Sequence, residues 1–269
     1  MRFNKNLKDI FFKTSICIFI FVFILFIIFA IFGVLLRGIP NLIESLLDKE
    51  IQFAIKLSFF TSTISTIICL MFSIPISYGL VRFNFWGKKI INAIVQMPIS
   101  IPPIASGIAL LLLFTTKPIE NIVTKLGIDP VFSVYGIIVA HFFINTPYMI
   151  RILKVTFESI NPKLEFVART LGYSSCESFF KVTLPLARNG VISGVIIVWT
   201  SALGEFGTAL MLAGAIRMKT ETLPAAIFLN LAGGELDKAL AAATILIIMS
   251  IVCLSIFQLF EKRNTENIK

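Results

Sequence analysis

The spacing of charged side chains constrains this 269-residue chain more than any other feature. A helix rises 1.5 Å per residue and a bilayer core is ~30 Å thick, so about 20 apolar residues suffice to cross it. Residues 14–36, 57–81, 90–116, 130–150 and 239–260 hold no Asp, Glu, Lys or Arg, and 189–216 holds only Glu205. Only 14% of the chain is charged and 57% is hydrophobic, where a soluble domain carries about 25% charge. This excludes a disordered chain, a collagen-like chain and an ordinary soluble enzyme. The pattern predicts an all-α polytopic membrane protein with six transmembrane helices, at about 14–36, 57–81, 90–115, 131–150, 189–212 and 239–260. Almost no chain is left for a separate soluble domain.

The net charge of +9 sets topology. With the N-terminus in the cytoplasm, the inner segments hold sixteen Lys and Arg and the outer segments eight. That bias follows the positive-inside rule and predicts that both termini are cytoplasmic. No basic patch interleaved with aromatics stands outside the spans, so a nucleic-acid partner is not expected. The first run exceeds a signal-peptide core and has no A-x-A site after it, so it reads as a signal anchor.

Chemistry-bearing motifs are scarce. Cys17, Cys69, Cys176 and Cys253 form no C-x-x-C pair, so neither a zinc site nor a disulfide framework is indicated, and they read as small apolar filler. His141 is the lone histidine. It has no relay partner nearby in sequence and reads as packed core. The chain lacks G-x-x-x-x-G-K-[ST], H-E-x-x-H and G-x-S-x-G, so no catalytic residue, metal site or cofactor is predicted.

Two segments are patterned. In the third span, Pro98, Pro102 and Pro103 lie within six residues. Proline removes a backbone donor and clashes with the preceding turn, so this helix should break or bend. Counting from Ile90, Ile101 lies about 18 Å along, near mid-membrane. Irregular backbone there needs burial or a cavity. Two readings stay open: a substrate path beside Ser100, Ser106 and Gly107, or a kinked packing helix. Pro75 and Pro147 read as single kinks.

The second segment is the long loop 151–188. Asn161 can cap a helix with Pro162 in its first turn. Leu164, Val167, Ala168 and Leu171 recur on one helical face. Gly172 closes that helix as a left-handed residue, and Ser174-x-x-Glu177 is a capping box opening a second one. Leu184-Pro185 ends the unit. It is too short to fold alone, so its apolar face docks either on a partner or on its own membrane domain.

This loop resembles the EAA loop of ABC-importer permeases, E-A-A-x3-G-x9-I-x-L-P. Ala168, Arg169, Gly172, Val182, Leu184 and Pro185 match in spacing. Phe166 and Val167 stand where the Glu and the first Ala belong, and Glu165 lies one position early. The run Ser201-Ala-Leu-Gly-Glu-Phe-Gly207-Thr208, followed by Thr220-Glu-Thr-Leu-Pro224, is similar to the oxyanion branch, molybdate and tungstate permeases in particular. Sulfate permeases share the G-E-F-G stretch. The resemblance covers about residues 50–260.

The resemblance implies a type I ABC-importer permease fold, with 1–50 holding the N-terminal segment, first helix and outer loop. Residues 51–260 would form the transmembrane domain, with 151–188 as its coupling loop, and 261–269 a cytoplasmic tail. It further implies a multi-pass protein of the cell membrane, paired with a second copy of itself, two ABC ATPase subunits and an extracytoplasmic substrate-binding protein. The substrate would be molybdate or tungstate, with sulfate or thiosulfate as the alternative. Glu165, Ala168, Arg169, Gly172, Leu184 and Pro185 would serve ATPase coupling, Glu165 standing in for the missing carboxylate. Ser100, Pro102, Pro103, Ser106, Gly107, Thr200, Ser201, Gly204, Gly207 and Thr208 would line the path.

An ionised Glu205 facing that path would repel an anion. We therefore expect it to be a structural acid, paired, bonded to backbone or turned away. No Lys or Arg lies inside any span, which fits passage without tight capture. A different class, a self-contained ion-coupled carrier or a membrane enzyme, would need charge inside the spans, and Glu205 alone supplies little.

Overall fold

The computed structural model describes residues 2–266, with side chains placed for 11–256. Met1 and residues 267–269 of the expected tail lie outside the described residues. Every regular element among the described residues is helical. In chain order they are α1 (Arg2–Gly38), α2 (Leu42–Leu47), α3 (Lys49–Arg82), α4 (Lys88–Ser100), α5 (Pro103–Thr115), α6 (Lys117–Lys125) and α7 (Val134–Ser159). Then follow α8 (Lys163–Thr170), α9 (Ser175–Ser178), a π-helical turn (Phe179–Thr183), α10 (Leu184–Gly204), α11 (Gly207–Ala213), α12 (Leu223–Ala232) and α13 (Leu236–Glu266).

Among the described residues, five helices are long and apolar enough to cross a bilayer: α1, α3, α7, α13 and the run Ser175–Gly204. The pair α4 and α5 is long and apolar enough only when taken together, and it is bent by 112° at Ile101–Pro102. Both break residues are extended, and Pro103 opens α5. The expected proline break is therefore present. The expected continuous helix 189–212 is not: α10 stops at Gly204, and a separate short helix, α11, begins at Gly207. Glu205 between them is extended, at φ −71° and ψ 129°, so the gap between charges measured a stretch that the backbone divides. Pro75 and Pro147 lie inside α3 and α7, which run on through them.

The centre of the bundle is α3 against α7, with α10 packed on both. Their contact faces are small and hydroxylated. On α3, Ser58, Thr61, Ser62, Ser65, Thr66, Ser73 and Ser77 are all buried. Several return their hydroxyls to the preceding turn, as Thr61 does to the Leu57 carbonyl at 2.9 Å and Thr66 to Ser62 at 2.7 Å. Such residues let helix backbones approach closely, and of the seven the Ser62 and Ser73 hydroxyls are buried without a partner. Ser77 Oγ also donates to the Ile150 carbonyl at 3.2 Å, and Cys69 Sγ lies 3.3 Å from Thr146 Oγ1. These two contacts show that α3 and α7 run in the same direction. The ends of α3 and α7 at Arg82 and Ser159 thus share one end of the bundle, where the loop element sits. α1 packs on α13 and otherwise shows an apolar surface, as a lipid-facing helix must.

Candidate functional site

Two constellations stand out, one at the bundle end and one at the paired helix breaks. At the bundle end, the local signals fold as their chemistry dictates. Asn161 Oδ1 accepts from the Lys163 N–H at 3.0 Å. Gly172 ends α8 at φ +96°, a left-handed conformation that costs any L side chain. Ser174 and Glu177 form a reciprocal capping box at α9.

The helical face sorts differently from a uniform apolar stripe. Ala168 and Glu165 are buried, whereas Leu164, Val167 and Leu171 are exposed, Leu171 to 77%. Phe166 is 60% exposed. The outward side of α8 is thus apolar, and the inward side carries a carboxylate. Glu165, only 8% exposed, accepts from Arg82 Nε at 2.8 Å, Tyr78 Oη at 2.9 Å and Thr183 Oγ1 at 2.7 Å. Burial alone pushes its carboxyl up. The Thr183, Arg82 and Tyr78 hydrogen bonds and the Arg82 charge outweigh that and leave it below the ordinary range. Arg82 Nη2 also donates to the Ile160 carbonyl beyond α7, at 2.9 Å. Arg169 is exposed and lines a cavity of about 820 Å3 together with Met71, Tyr78, Arg82, Glu165 and Phe180. Leu184 also borders it, and Pro185 lies in the first turn of α10.

Sequence reasoning singled out Glu165 but missed Arg82, Tyr78 and Thr183. Arg82 entered only as a topology charge, and no periodicity links positions 83 residues apart.

The second constellation joins α5 to α11. The Thr208 N–H donates to Glu205 Oε1 at 2.7 Å, and Thr208 Oγ1 donates to the Pro103 carbonyl at 3.0 Å. Gly107 and Gly207 lie at this contact. A Cβ on Gly107 would come within 2.6 Å of Met211 Cβ, and one on Gly207 within 3.0 Å of Pro103 Cβ. Ser106 is buried with its hydroxyl unpartnered, as is the hydroxyl of Thr200. The remaining expected path residues lie apart from this contact: Ser100, Pro102, Ser201 and Gly204 are exposed, and a Cβ on Gly204 would meet nothing within 4 Å. His141 is buried on α7 with both ring nitrogens lacking a protein partner. Among the described residues no group of three or more His, Cys, Asp or Glu side chains is placed to hold a metal ion.

The bundle thus combines helices long and apolar enough to cross a membrane, breaks at Ile101–Pro102 and Glu205–Phe206, and a short helical element beyond the ends of α3 and α7. The chain belongs to the family of binding-protein-dependent transport system inner membrane components, whose pattern matches residues 72–266. Among its relatives, the molybdate/tungstate transport system permease protein WtpB of Methanocaldococcus jannaschii is 29% identical, over 93% of this chain and 96% of that one. The sulfate transport system permease protein CysW of a Synechocystis strain is 29% identical, over 84% and 83%. A chain in the crystal structure of a bacterial alginate ABC transporter, in complex with an alginate pentasaccharide-bound periplasmic protein, has the same fold. Its TM-score is 0.73 at 18% identity, covering 96% of each chain. This chain is therefore a multi-pass membrane permease of an ABC transporter complex.

Proposed function

We propose that this chain is the permease subunit of an importer for molybdate or tungstate, driven by ATP hydrolysis in two separate ABC ATPase subunits. The observation that carries this reading is the outward apolar side of α8. Leu164, Phe166, Val167 and Leu171 stand exposed beyond the spans, where lipid does not cover them, and such a patch marks a protein-docking surface. Ala168, Arg169, Gly172, Leu184 and Pro185 shape the element that presents it. The end of the bundle bearing this element is cytoplasmic, as are both termini, in keeping with the positive-inside bias. The transport domain is 51–260, preceded by the 1–50 segment and followed by the 261–269 tail.

The path runs between two copies of the chain. Its support is the placement of Ser100, Ser201 and Gly204 on the exterior of an otherwise apolar bundle, next to the breaks at Ile101–Pro102 and Glu205–Phe206. Ser106, Thr200 and Thr208 supply hydroxyls, Pro102, Pro103, Gly107 and Gly207 shape the backbone, and Glu205 is a structural acid held by a backbone N–H. An extracytoplasmic binding protein delivers the anion.

The test is uptake by vesicles that contain this chain, its ATPase and its binding protein. ATP-dependent accumulation of molybdate, blocked by tungstate and insensitive to excess sulfate, is expected. Accumulation by vesicles containing the permease alone would refute the reading. Blockage by sulfate at equal concentration would move the substrate to the second reading, sulfate, which the Synechocystis relative favours.

A further inference from the structure

The carboxylate of α8 points the wrong way for a docking contact. Leu164, Val167 and Leu171 face outward, whereas Glu165 is turned inward against α3 and the π-helical turn. On a helix, one residue's offset is about 100° of rotation. Moving the acid from 166, where the EAA pattern has it, to 165 therefore transfers it from the partner-facing side to the bundle-facing side. Phe166 takes the outward place.

We propose that Glu165 is a positioning residue that clamps the coupling element to the end of α3 through Arg82 and Tyr78, so that motion of the element is delivered to the α3–α7 pair. This rests on the reading of α8 as the ATPase docking element and says how that element acts. Three features carry it. One carboxylate accepts three hydrogen bonds of 2.7–2.9 Å from two other elements, α3 and the π-helical turn. The Arg82 guanidinium that holds it also holds the Ile160 carbonyl, so a single side chain joins α3, the end of α7 and α8. Both members of the ion pair are only 11% exposed in their side chains, where charge-assisted bonds are strong and directional.

The surrounding contacts are of another kind. Tyr78 and Phe157 stack edge-on or tilted against Phe179, at centroid distances of 4.7 and 6.2 Å. Aromatic packing keeps these elements together, but it permits sliding. The clamp fixes α8 to α3 in direction. Beyond it, α3 is bound to α7 along its length by Ser77 and Cys69, so a displacement at Arg82 reaches the centre of the bundle. A π-helical turn beside the clamp is itself a common mark of a functional site.

The experiment uses the reconstituted complex of permease, ATPase and binding protein, and reads anions transported per ATP hydrolysed. Glu165→Gln keeps the shape of the side chain and an acceptor oxygen but removes the charge. Expected is a drop of at least tenfold in that ratio in a complex that still assembles, alongside a lower Tm at neutral pH, because Arg82 is left buried without its counter-charge. Arg82→Gln should give a similar drop, and the double variant no greater one, because the pair acts as a unit. An unchanged ratio in Glu165→Gln would overturn the proposal. So would a complex that fails to assemble, since that assigns Glu165 to the subunit contact or to folding alone. Leu171→Asp separates the two levels. If it weakens ATPase assembly while Glu165→Gln transports normally, only the clamp is wrong. If both variants assemble and transport at the wild-type ratio, the docking reading itself is wrong.

Discussion

Replacing Gly107 by Ala probes whether α5 and α11 work as one unit. The added Cβ would sit 2.6 Å from Met211 Cβ, 2.7 Å from the Thr208 carbonyl oxygen and 3.1 Å from Thr208 Cα. Favourable carbon contacts begin at about 3.5 Å, so the helices must part by about 1 Å. Two of the three obstructing atoms are backbone, and the third is a Cβ, so no flexible side-chain tip can swing aside. Overpacking of this kind costs about 1–3 kcal/mol. Against it, Ala is favoured over Gly inside a helix by roughly 0.5–1 kcal/mol. Gly204→Ala supplies the control, because its Cβ would meet nothing within 4 Å. The two variants should therefore differ by about 1–3 kcal/mol, with Gly107→Ala the less stable. At ~2–4 °C per kcal/mol for a chain of this size, the gap in Tm is roughly 2–12 °C. Thermal unfolding of the detergent-solubilised complex measures it, and Gly207→Ala, with its nearest contact at 3.0 Å, should fall between. Equal Tm values for Gly107→Ala and Gly204→Ala would refute the close α5–α11 contact.

Gly172→Val places a β-branched residue at φ +96°, a conformation costing roughly 1–2 kcal/mol. ATP hydrolysis should continue while uptake falls, and simultaneous assays showing intact coupling would count against this loop as the coupling element. Glu221, fully buried between α11 and α12, has its carboxyl pushed above the ordinary 4.5, first by burial and then by the Glu50 and Asp48 charges. The Met218 N–H and the Arg217 charge oppose this. Its folded-state value is raised, so its stabilising contribution is complete below pH 4.5 and is lost as pH rises through the folded value. Tm should fall over that rise, and Glu221→Gln should flatten the slope; an identical slope in the variant would assign the dependence elsewhere. Glu165 has the opposite sign, its contribution being present above 4.5 and lost as pH falls below it, so acid should loosen the bundle end while the segment between α11 and α12 tightens. Glu165→Gln should flatten the acid limb of the unfolding profile alone.

What the sequence made legible was local. The break at Pro102, the left-handed stop at Gly172 and the Ser174–Glu177 box each depend on residues within a few positions, and each is present. The spans were legible because hydropathy is a sum over neighbours. The α3 hydroxyls could have been read as well. Positions 58, 61, 62, 65, 66, 73 and 77 follow helical spacing along one face, but a ruler of charged residues counts Ser and Thr as filler. The Arg82–Glu165 pair had no local trace at all, because its meaning arises only once α3 and α7 run side by side and return Ile160 to Arg82. The sorting of α8 into an outward apolar side and an inward acid is likewise a tertiary result. The stripe of Leu164, Val167, Ala168 and Leu171 was visible, but not which edge of it would be buried.

Glu205 shows why a count of apolar residues misjudged the fifth span. A helix broken at mid-membrane exposes N–H groups at one end and carbonyls at the other, each costly in hydrocarbon. Here two breaks meet, and Thr208 joins them. Its N–H is taken by the Glu205 carboxylate, and its hydroxyl donates to the carbonyl of Pro103, the first residue of α5. The acid that looked like a barrier to an anion is thus turned to the start of α11, where a carboxylate also suits the helix dipole. On the path proposed above, that engagement leaves the neutral groups at the breaks to face the oxyanion. Removing the carboxylate therefore acts on this subunit through loss of the α11 start rather than through a gain of positive potential in the path.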